Sequence, residues 1–153
     1  MAIHAREASP DDAAAMCAVI NPLIAKGGST AHRNPFDTER MIAHYIVPVT
    51  GIASVVALDG GTVVGFQSVS WCGEPASGEA AIGSFVAQEQ HGKGIGRIMF
   101  RETLDRAKAA GVRSIDATIR KENVSGRAFY RKLGFVPYKE GDETVSKLFT
   151  VVG

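Results

Sequence analysis

What this sequence has little of already excludes several classes of protein. It has two cysteines, Cys17 and Cys72, in 153 residues, and they fit neither a disulfide framework nor the spacing of a zinc site. Its formal net charge is only +1, from 17 basic and 16 acidic residues, and it has no basic tail. That balance argues against nucleic acid or an anionic membrane as the main partner. We therefore expect no bound metal, no nucleic-acid partner and no membrane partner.

Long apolar runs and internal boundaries are also missing from the sequence. No apolar run approaches the ~18 residues that a membrane span needs, and the first residues lack the pattern of a signal peptide. No repeat, low-complexity segment or linker interrupts the chain. We expect residues 1–153 to form one cytoplasmic domain of ordinary size.

The most informative segment is a glycine-rich turn between a predicted strand and a predicted helix. Residues 80–86 are small or apolar, which is typical of a buried strand, and apolar residues recur at helical spacing over residues 100–111. Between them, Gly92, Gly94 and Gly96 leave the backbone N–H groups uncovered. Such a turn before a helix N-terminus binds anions readily, so we predict a phosphate site; a tight turn without a ligand is the alternative.

Two other phosphate-binding patterns do not fit this turn. A P-loop needs Lys and then Ser or Thr after its last glycine, whereas Arg97 and Ile98 follow Gly96. A dinucleotide-binding fingerprint needs a third glycine three positions after the second. That position is Arg97 or Met99, depending on which pair of glycines is counted.

The second informative segment covers residues 123–135. Its apolar side predicts a short helix, which Gly134 ends. Asn123 and Tyr130 are seven residues apart, or two turns, so they share one helix face about 10 Å apart. This spacing suits an amide and a phenol along one side of an elongated ligand. A helix-capping Asn and an ordinary half-buried Tyr are the alternative.

Together the two segments resemble the GNAT family of N-acetyltransferases. The family's pyrophosphate loop runs Gln or Arg, two residues, Gly, one residue, then Gly or Ala, and it matches residues 91–96 except that His91 replaces Gln or Arg. Its later motif of Asn, a helix rich in small residues, Tyr and Gly-Phe matches residues 123–135. The resemblance covers nearly all of the chain and implies an acetyl-CoA-dependent N-acetyltransferase.

The remaining segments agree with the fold that this resemblance implies. Ser9 and Asp37 are good helix caps, and Asp59-Gly60-Gly61 is a tight hairpin signal. We predict a mixed α/β fold with helices on both faces of a mostly antiparallel sheet of about seven strands, splayed between strands 4 and 5. The predicted strands cover residues 3–6, 54–58, 63–69, 80–86, 114–119, 136–140 and 144–151.

The resemblance also implies which residues hold acetyl-CoA. The thioester lies between strands 4 and 5, where the backbone N–H of Phe85 or Val86 meets its carbonyl oxygen. Tyr130 acts as the general acid to sulfur, and Asn123 bonds the pantetheine arm. The residues expected around the pyrophosphate are His91, Gly92, Lys93, Gly94, Ile95, Gly96 and Arg97.

The general base stays open at this point. Residues 19–24 and 28–30 resemble the phosphinothricin acetyltransferase branch, which acetylates small amino-acid-like compounds and places a Glu five residues before the last Val of strand 4. That position is Ala81 here. Glu79 lies two residues earlier on the same strand face and is the nearest replacement. A solvated Glu79 and a water relay without a dedicated base are the alternatives.

Acceptor specificity is expected from two loops. Thr30, His32 and Arg33 lie between the first two helices, and His32 or Arg33 is expected to hold a substrate carboxylate. Trp71, after the third strand, is expected to form an aromatic pocket wall; covering the edge of the core is its alternative role.

The predicted function is acetyl transfer to the primary amine of a small molecule, by direct attack in a ternary complex. A compound like phosphinothricin or methionine sulfoximine suits the branch, and the branch also implies a possible homodimer. Two other functions stay open: acetylation of a protein N-terminus or lysine, and acyl-CoA sensing without catalysis.

Overall fold

Residues 2–152 are described by a computed structural model with seven strands and four helices. The strands are β1 Ile3–Glu7, β2 Gly51–Asp59, β3 Thr62–Trp71, β4 Glu79–Val86, β5 Ser114–Arg120, β6 Val136–Glu140 and β7 Thr144–Thr150. The helices are α1 Ala13–Lys26, α2 Thr38–Met41 with a π-helical turn at Ile42–Ile46, α3 Ile95–Ala109 and α4 Val124–Leu133. Their order is the predicted one.

An aspartate and several glycines mark the ends of these elements, as the sequence predicts. The Asp37 carboxylate accepts a hydrogen bond from the N–H of Arg40 at 2.8 Å and so caps α2. Gly60 and Gly61 both have positive φ in the β2–β3 hairpin, and Gly134 has a φ of 104° at the end of α4.

The seven strands form one sheet in the order β1-β2-β3-β4-β5-β7-β6, and only the β4–β5 pair is parallel. Helices cover both faces. On one face, α1 and α2 pack on Phe66 and Phe85; on the other, α3 and α4 pack on residues such as Val55 and Ile115. This arrangement confirms the predicted mixed α/β fold.

The middle of the sheet is split, as predicted. Strand β4 pairs with β5 only through residues 79–81, which lie opposite residues 114–116. Its other five residues, Ile82 to Val86, keep pairing with β3 but have no partner on the β5 side. These five residues are only half-buried although their strand is central. A gap therefore opens between β4 and β5.

No helix within residues 2–152 is long and apolar enough to span a membrane.

Candidate active site

The backbone of β4 shows which of its N–H groups face the gap. The N–H of Ala87 donates to the carbonyl of Val64 at 2.9 Å, and the N–H of Cys72 donates to the carbonyl of Glu79 at 2.9 Å. Residues of an antiparallel strand alternate in direction, and the β3–β4 register is regular. Odd-numbered residues of β4 therefore bond to β3, and even-numbered residues face the gap.

Because of this alternation, the two predicted oxyanion donors, the N–H groups of Phe85 and Val86, point in opposite directions. The N–H of Phe85 points to β3, and its ring lies within the aromatic cluster beside Phe66, 5.0 Å away between ring centroids. The N–H of Val86 points into the gap, and so does that of Ser84, which sequence reasoning missed. The sequence alone does not show which N–H groups of β4 point to β3 and which point into the gap, because that depends on how the two strands pair.

Tyr130 brings a protonated phenol to the gap. Its hydroxyl donates to Ser84 Oγ at 2.9 Å, and Gln67 Nε2 donates to the same oxygen at 2.9 Å. Tyr130 is 7% exposed and packs between Phe129 and Phe135. Burial raises the pKa of Tyr130 to about 12. At neutral pH the phenol therefore keeps its proton, and its hydroxyl can donate a hydrogen bond.

The three glycines of the turn do different work. Gly92 and Gly94 have φ of 84° and 77°, and no atom lies within 4 Å of where a Cβ would stand. They permit the left-handed backbone and leave the space before α3 open. Gly96 is buried, and a Cβ there would overlap the ring of Phe129. It therefore allows α3 to pack closely on α4.

The start of α3 is open to an anion. No side chain caps this helix, so its first N–H groups have no side-chain acceptor. Arg97 is exposed in the first turn of the helix, and Lys93 is exposed with its Nζ 3.1 Å from Gln90 Oε1. Positive side chains and free N–H groups therefore surround the turn.

His91 ties the turn to the edge of β4. Its Nε2 lies 2.9 Å from the carbonyl oxygen of Val86 and donates to it, since a carbonyl can only accept. The imidazole thus links the turn to the strand edge that borders the gap.

Asn123 caps α4. Its Oδ1 accepts from the N–H of Gly126 at 2.9 Å, and its Nδ2 donates to the carbonyl of Ser29 at 3.3 Å. The capping role, which sequence reasoning had left as the alternative, is thus present. The second bond joins α4 to the α1–α2 loop.

The α1–α2 loop and the end of β5 line an open surface cavity of about 260 Å³. Thr30, His32 and Arg33, the three residues predicted to bind the acceptor in this loop, all line it. Arg120 and Glu122 come from the β5 side, paired at 2.7 Å, and were missed by sequence reasoning. The whole lining consists of Ile24, Gly27, Gly28, Thr30, His32, Arg33, Arg120 and Glu122.

The two residues expected to hold a carboxylate differ in charge. Burial lowers the pKa of His32, and the nearby charges of His44 and Arg40 lower it further. Its Nε2 lies 2.6 Å from the hydroxyl of Tyr45. A neutral imidazole offers a carboxylate a hydrogen bond but no positive charge, and the role predicted for His32 stays a prediction. Arg33 is exposed, and no ion pair joins it to another residue of 2–152.

Trp71 is not brought together with these residues. It is the last residue of β3, opposite Ala80, rather than part of a loop. It packs with Val69 in the core beneath α3 and α4, whereas the cavity lies on the α1 side. Trp71 thus covers the edge of the core, the alternative role that sequence reasoning had named.

Glu79 lies at the closed end of the gap. It is exposed, opposite Ser114, on the sheet face that also carries Ala81. Ala81 itself lies opposite Asp116, a carboxylate that sequence reasoning missed. Among residues 2–152 there is no group of three or more His, Cys, Asp or Glu side chains placed to hold a metal ion.

Comparison with known proteins connects this geometry to a family. A family model for the acetyltransferase (GNAT) family matches residues 28–135. The yncA protein of Salmonella typhimurium, solved with its cofactor acetyl-CoA, is 20% identical with a TM-score of 0.85, over 100% of this chain and 96% of that chain. No curated protein matches the sequence.

Two further solved structures are named for different acceptors. A phosphinothricin acetyltransferase of Sinorhizobium meliloti in complex with acetyl-CoA is 24% identical with a TM-score of 0.82, over 99% of this chain and 89% of that chain. A ribosomal-protein-alanine N-acetyltransferase of Brucella melitensis is 21% identical with a TM-score of 0.78, over 98% and 99%. The shared fold therefore does not decide the acceptor.

Proposed function

Because this chain belongs to the acetyltransferase (GNAT) family, we propose that it transfers acetyl from acetyl-CoA to the primary amine of a small amino-acid-like molecule. The observation that carries the proposal is the gap between β4 and β5, with unpaired backbone N–H groups on one edge and the Tyr130 phenol beside it. Attack is direct, in a ternary complex.

The residues around the gap fit acetyl-CoA. The uncapped N–H groups of α3 and the open space at Gly92 and Gly94 suit the pyrophosphate, with Lys93 and Arg97 adding positive charge. The β4 edge suits the pantetheine arm, whose amides can hydrogen-bond to it. Acetyl-CoA in the solved structures from Salmonella and Sinorhizobium supports this assignment.

Each polar group at the gap has a definite part in acetyl transfer. Acetyl-CoA supplies an acetyl thioester, which is open to attack at its carbonyl carbon. The N–H of Val86 or Ser84 donates a hydrogen bond to the carbonyl oxygen and stabilises the negative charge that develops there. Tyr130 gives its phenol proton to the departing sulfur. Asn123 stays at the start of α4, beside the expected pantetheine path.

The cavity beside the gap suits a small acceptor with a carboxylate. Arg33 and Arg120 both line it, and guanidinium groups bind carboxylates through paired hydrogen bonds. Thr30 and neutral His32 add hydrogen-bonding groups. Phosphinothricin and methionine sulfoximine have this combination of α-amine and carboxylate.

The cytoplasmic location and the homodimer stay predictions.

The test is thiol release from acetyl-CoA across a panel of amines, with the product identified by mass. The panel includes phosphinothricin, methionine sulfoximine, common amino acids, their carboxamides, polyamines and peptides. We expect turnover with free amino-acid-like compounds and much less with their carboxamides. Acetylation of peptides alone would move the acceptor to a protein, and CoA binding without any turnover would contradict catalysis.

A further inference from the structure

The sheet face opposite Tyr130 carries a carboxylate at the point where β4 and β5 separate. Asp116 on β5 lies directly opposite Ala81 on β4, and this is the last pair before the gap. Directly paired residues project from the same face, about 5 Å apart. Because side chains alternate along β4, Ala81 shares its face with Phe85 and the α1–α2 layer, whereas Ser84 and Tyr130 lie on the other face.

Two hydroxyl groups hold this carboxylate in place. The Tyr138 hydroxyl donates to Asp116 Oδ1 at 2.6 Å, and Thr118 Oγ1 donates to Oδ2 at 2.8 Å. The bond to Asp116 is the main reason why the pKa of Tyr138 rises to about 12. Tyr138 is 52% exposed and Asp116 is half-buried, so these contacts orient a carboxylate that solvent and a ligand can still reach.

Asp116 is also better placed than the carboxylate expected from the sequence. Glu79 shares the face of Ala81, but it lies two residues further from the gap, or roughly 7 Å along the strand. The amine must reach the gap to be acetylated. Of the two carboxylates at the β4–β5 junction, Asp116 is therefore the one nearer the gap, opposite Ala81, the position where the related branch carries its Glu.

We propose that Asp116 receives the ammonium group of the acceptor and takes up its proton. It would replace the Glu that the related branch carries at the position of Ala81. This assignment rests on the proposed function. An ammonium of pKa near 10 must lose a proton before its lone pair can attack. The first N–H proton passes to an Asp116 oxygen, directly or through one water, and then to solvent.

In the remaining steps of the reaction, bonds and protons are exchanged between the two faces of the sheet. The nitrogen forms its bond to the acetyl carbon, the carbon–sulfur bond breaks, and sulfur takes the Tyr130 proton. The nitrogen loses a second proton, which replaces the one that Tyr130 gave up. One proton is released overall for each amide formed. The ammonium thus approaches from the Asp116 face while the thiol leaves on the Tyr130 face.

The test compares Asp116→Asn with the wild-type enzyme, on the best acceptor from the amine panel. Asn keeps the size and one acceptor oxygen but cannot take up the proton. We expect kcat/KM to fall about 100-fold or more with acetyl-CoA affinity unchanged, and the acid limb of the pH profile to be lost. Asp105→Asn, at an exposed position of α3, is the matched control and should stay within about twofold of wild type.

A second variant separates proton transfer from a structural role. Adding Ala81→Glu to Asp116→Asn returns a carboxylate to the neighbouring position on the same face, and it should recover at least about tenfold of the lost rate along with the acid limb. The other titratable groups near Asp116 are Cys72, Glu79 and Tyr138, with Tyr130 across the gap. The rate and pH profile of Glu79→Gln are therefore also measured, because Glu79 is the other carboxylate on this face.

The outcomes distinguish this proposal from the function on which it rests. If wild type turns over an amine and Asp116→Asn keeps both its rate and its pH profile, Asp116 is not the proton acceptor. A rate loss with an unchanged acid limb would make its role structural and also overturn the proposal. If wild type turns over no amine at all, the proposed function itself fails.

Discussion

At the scale of single residues, burial determines the protonation state of Tyr130. A phenol in water has a pKa near 10, and the apolar surroundings of Tyr130 raise it to about 12. Ser84 Oγ accepts its hydrogen bond and holds the hydroxyl at the gap. The fold thus keeps a proton donor in place before any ligand arrives.

Replacing Tyr130 with Phe should remove this proton donor and little else. The ring would keep its packing against Phe129 and Phe135. We expect kcat to fall about 100-fold or more, with little change in acetyl-CoA affinity. Steady-state kinetics and calorimetric CoA titration check this. If Tyr130→Phe keeps full activity while the chemical step is rate-limiting, Tyr130 has no part in the mechanism.

Arg33 should act on the acceptor and not on the cofactor. It is an exposed cation of the cavity, so Arg33→Ala should raise KM for a carboxylate-bearing acceptor about tenfold or more. The KM for acetyl-CoA should not change. Arg101→Ala, on the exposed side of α3, is the matched control. An equal effect on a carboxamide acceptor would contradict carboxylate binding by Arg33.

At the scale of elements, the approach of α3 to α4 places the glycine turn of residues 92–96 beside Tyr130. Gly96 makes this approach possible, because a Cβ there would overlap the Phe129 ring. The residue before Tyr130 thus meets the first turn of α3. The two motifs of the sequence are one packed unit in space.

Gly96→Ala should therefore destabilise the protein by about 1–3 kcal/mol through overpacking. Phe129→Ala alone should also destabilise it, by leaving a cavity. In the double variant the two costs should partly cancel, with a coupling of about 1 kcal/mol or more in the free energy of unfolding. Denaturant unfolding of all four proteins measures this coupling, and strict additivity would contradict the contact.

Gly94 should matter through charge as well as conformation. Gly94→Glu puts a carboxylate beside the expected pyrophosphate, so acetyl-CoA binding should be abolished. Gly94→Ala is the control, since it carries the same left-handed strain of about 1–2 kcal/mol but no charge. Calorimetry with both variants tests this. Normal binding by Gly94→Glu would mean that the pyrophosphate lies elsewhere.

The elements themselves were largely predictable, because their signals are local. Asp37 and Gly134 mark helix ends by their own chemistry, whatever the rest of the chain does. The length of β3 was not predictable: it was expected to end at Val69, but it continues to Trp71. Since side chains alternate along a strand, those two extra residues put Trp71 on the face of Val69, half-buried at the edge of the core.

The site was predictable only where its residues lie within one motif. The turn and Tyr130 belong to such motifs. Asp116 and Arg120 join the site through strand pairing, and the register of a distant strand is not written in local spacing. The neutral state of His32 is also invisible in the sequence, because it depends on burial and on neighbouring positive charge.

At the scale of the whole molecule, the buried phenol ties stability to pH. The folded-state pKa of Tyr130, about 12, lies above the unfolded value near 10, so the folded protein holds this proton more tightly. Its contribution of about 2–3 kcal/mol is fully present below pH 10 and is lost as pH rises through 12. The free energy of unfolding of wild type should fall more steeply over this range than that of Tyr130→Phe, as urea titrations at each pH can show. Parallel pH curves would contradict the raised pKa.

The whole sheet also explains why the two substrates can meet. Helices cover both faces of the sheet, and β4 and β5 separate in its middle. Tyr130 lies on one side of this opening, while Asp116 and the cavity lined by Arg33 lie on the other. Under the proposed function, cofactor and amine approach from opposite faces without competing for space.

The most direct test of the account is a crystal structure of the protein with acetyl-CoA. We predict the pantetheine arm between β4 and β5, the acetyl oxygen within hydrogen-bonding distance of the N–H of Ser84 or Val86, and the sulfur on the side of Tyr130. The pyrophosphate should contact the first N–H groups of α3. A thioester bound outside the gap, or a pyrophosphate away from the glycine turn, would contradict the account.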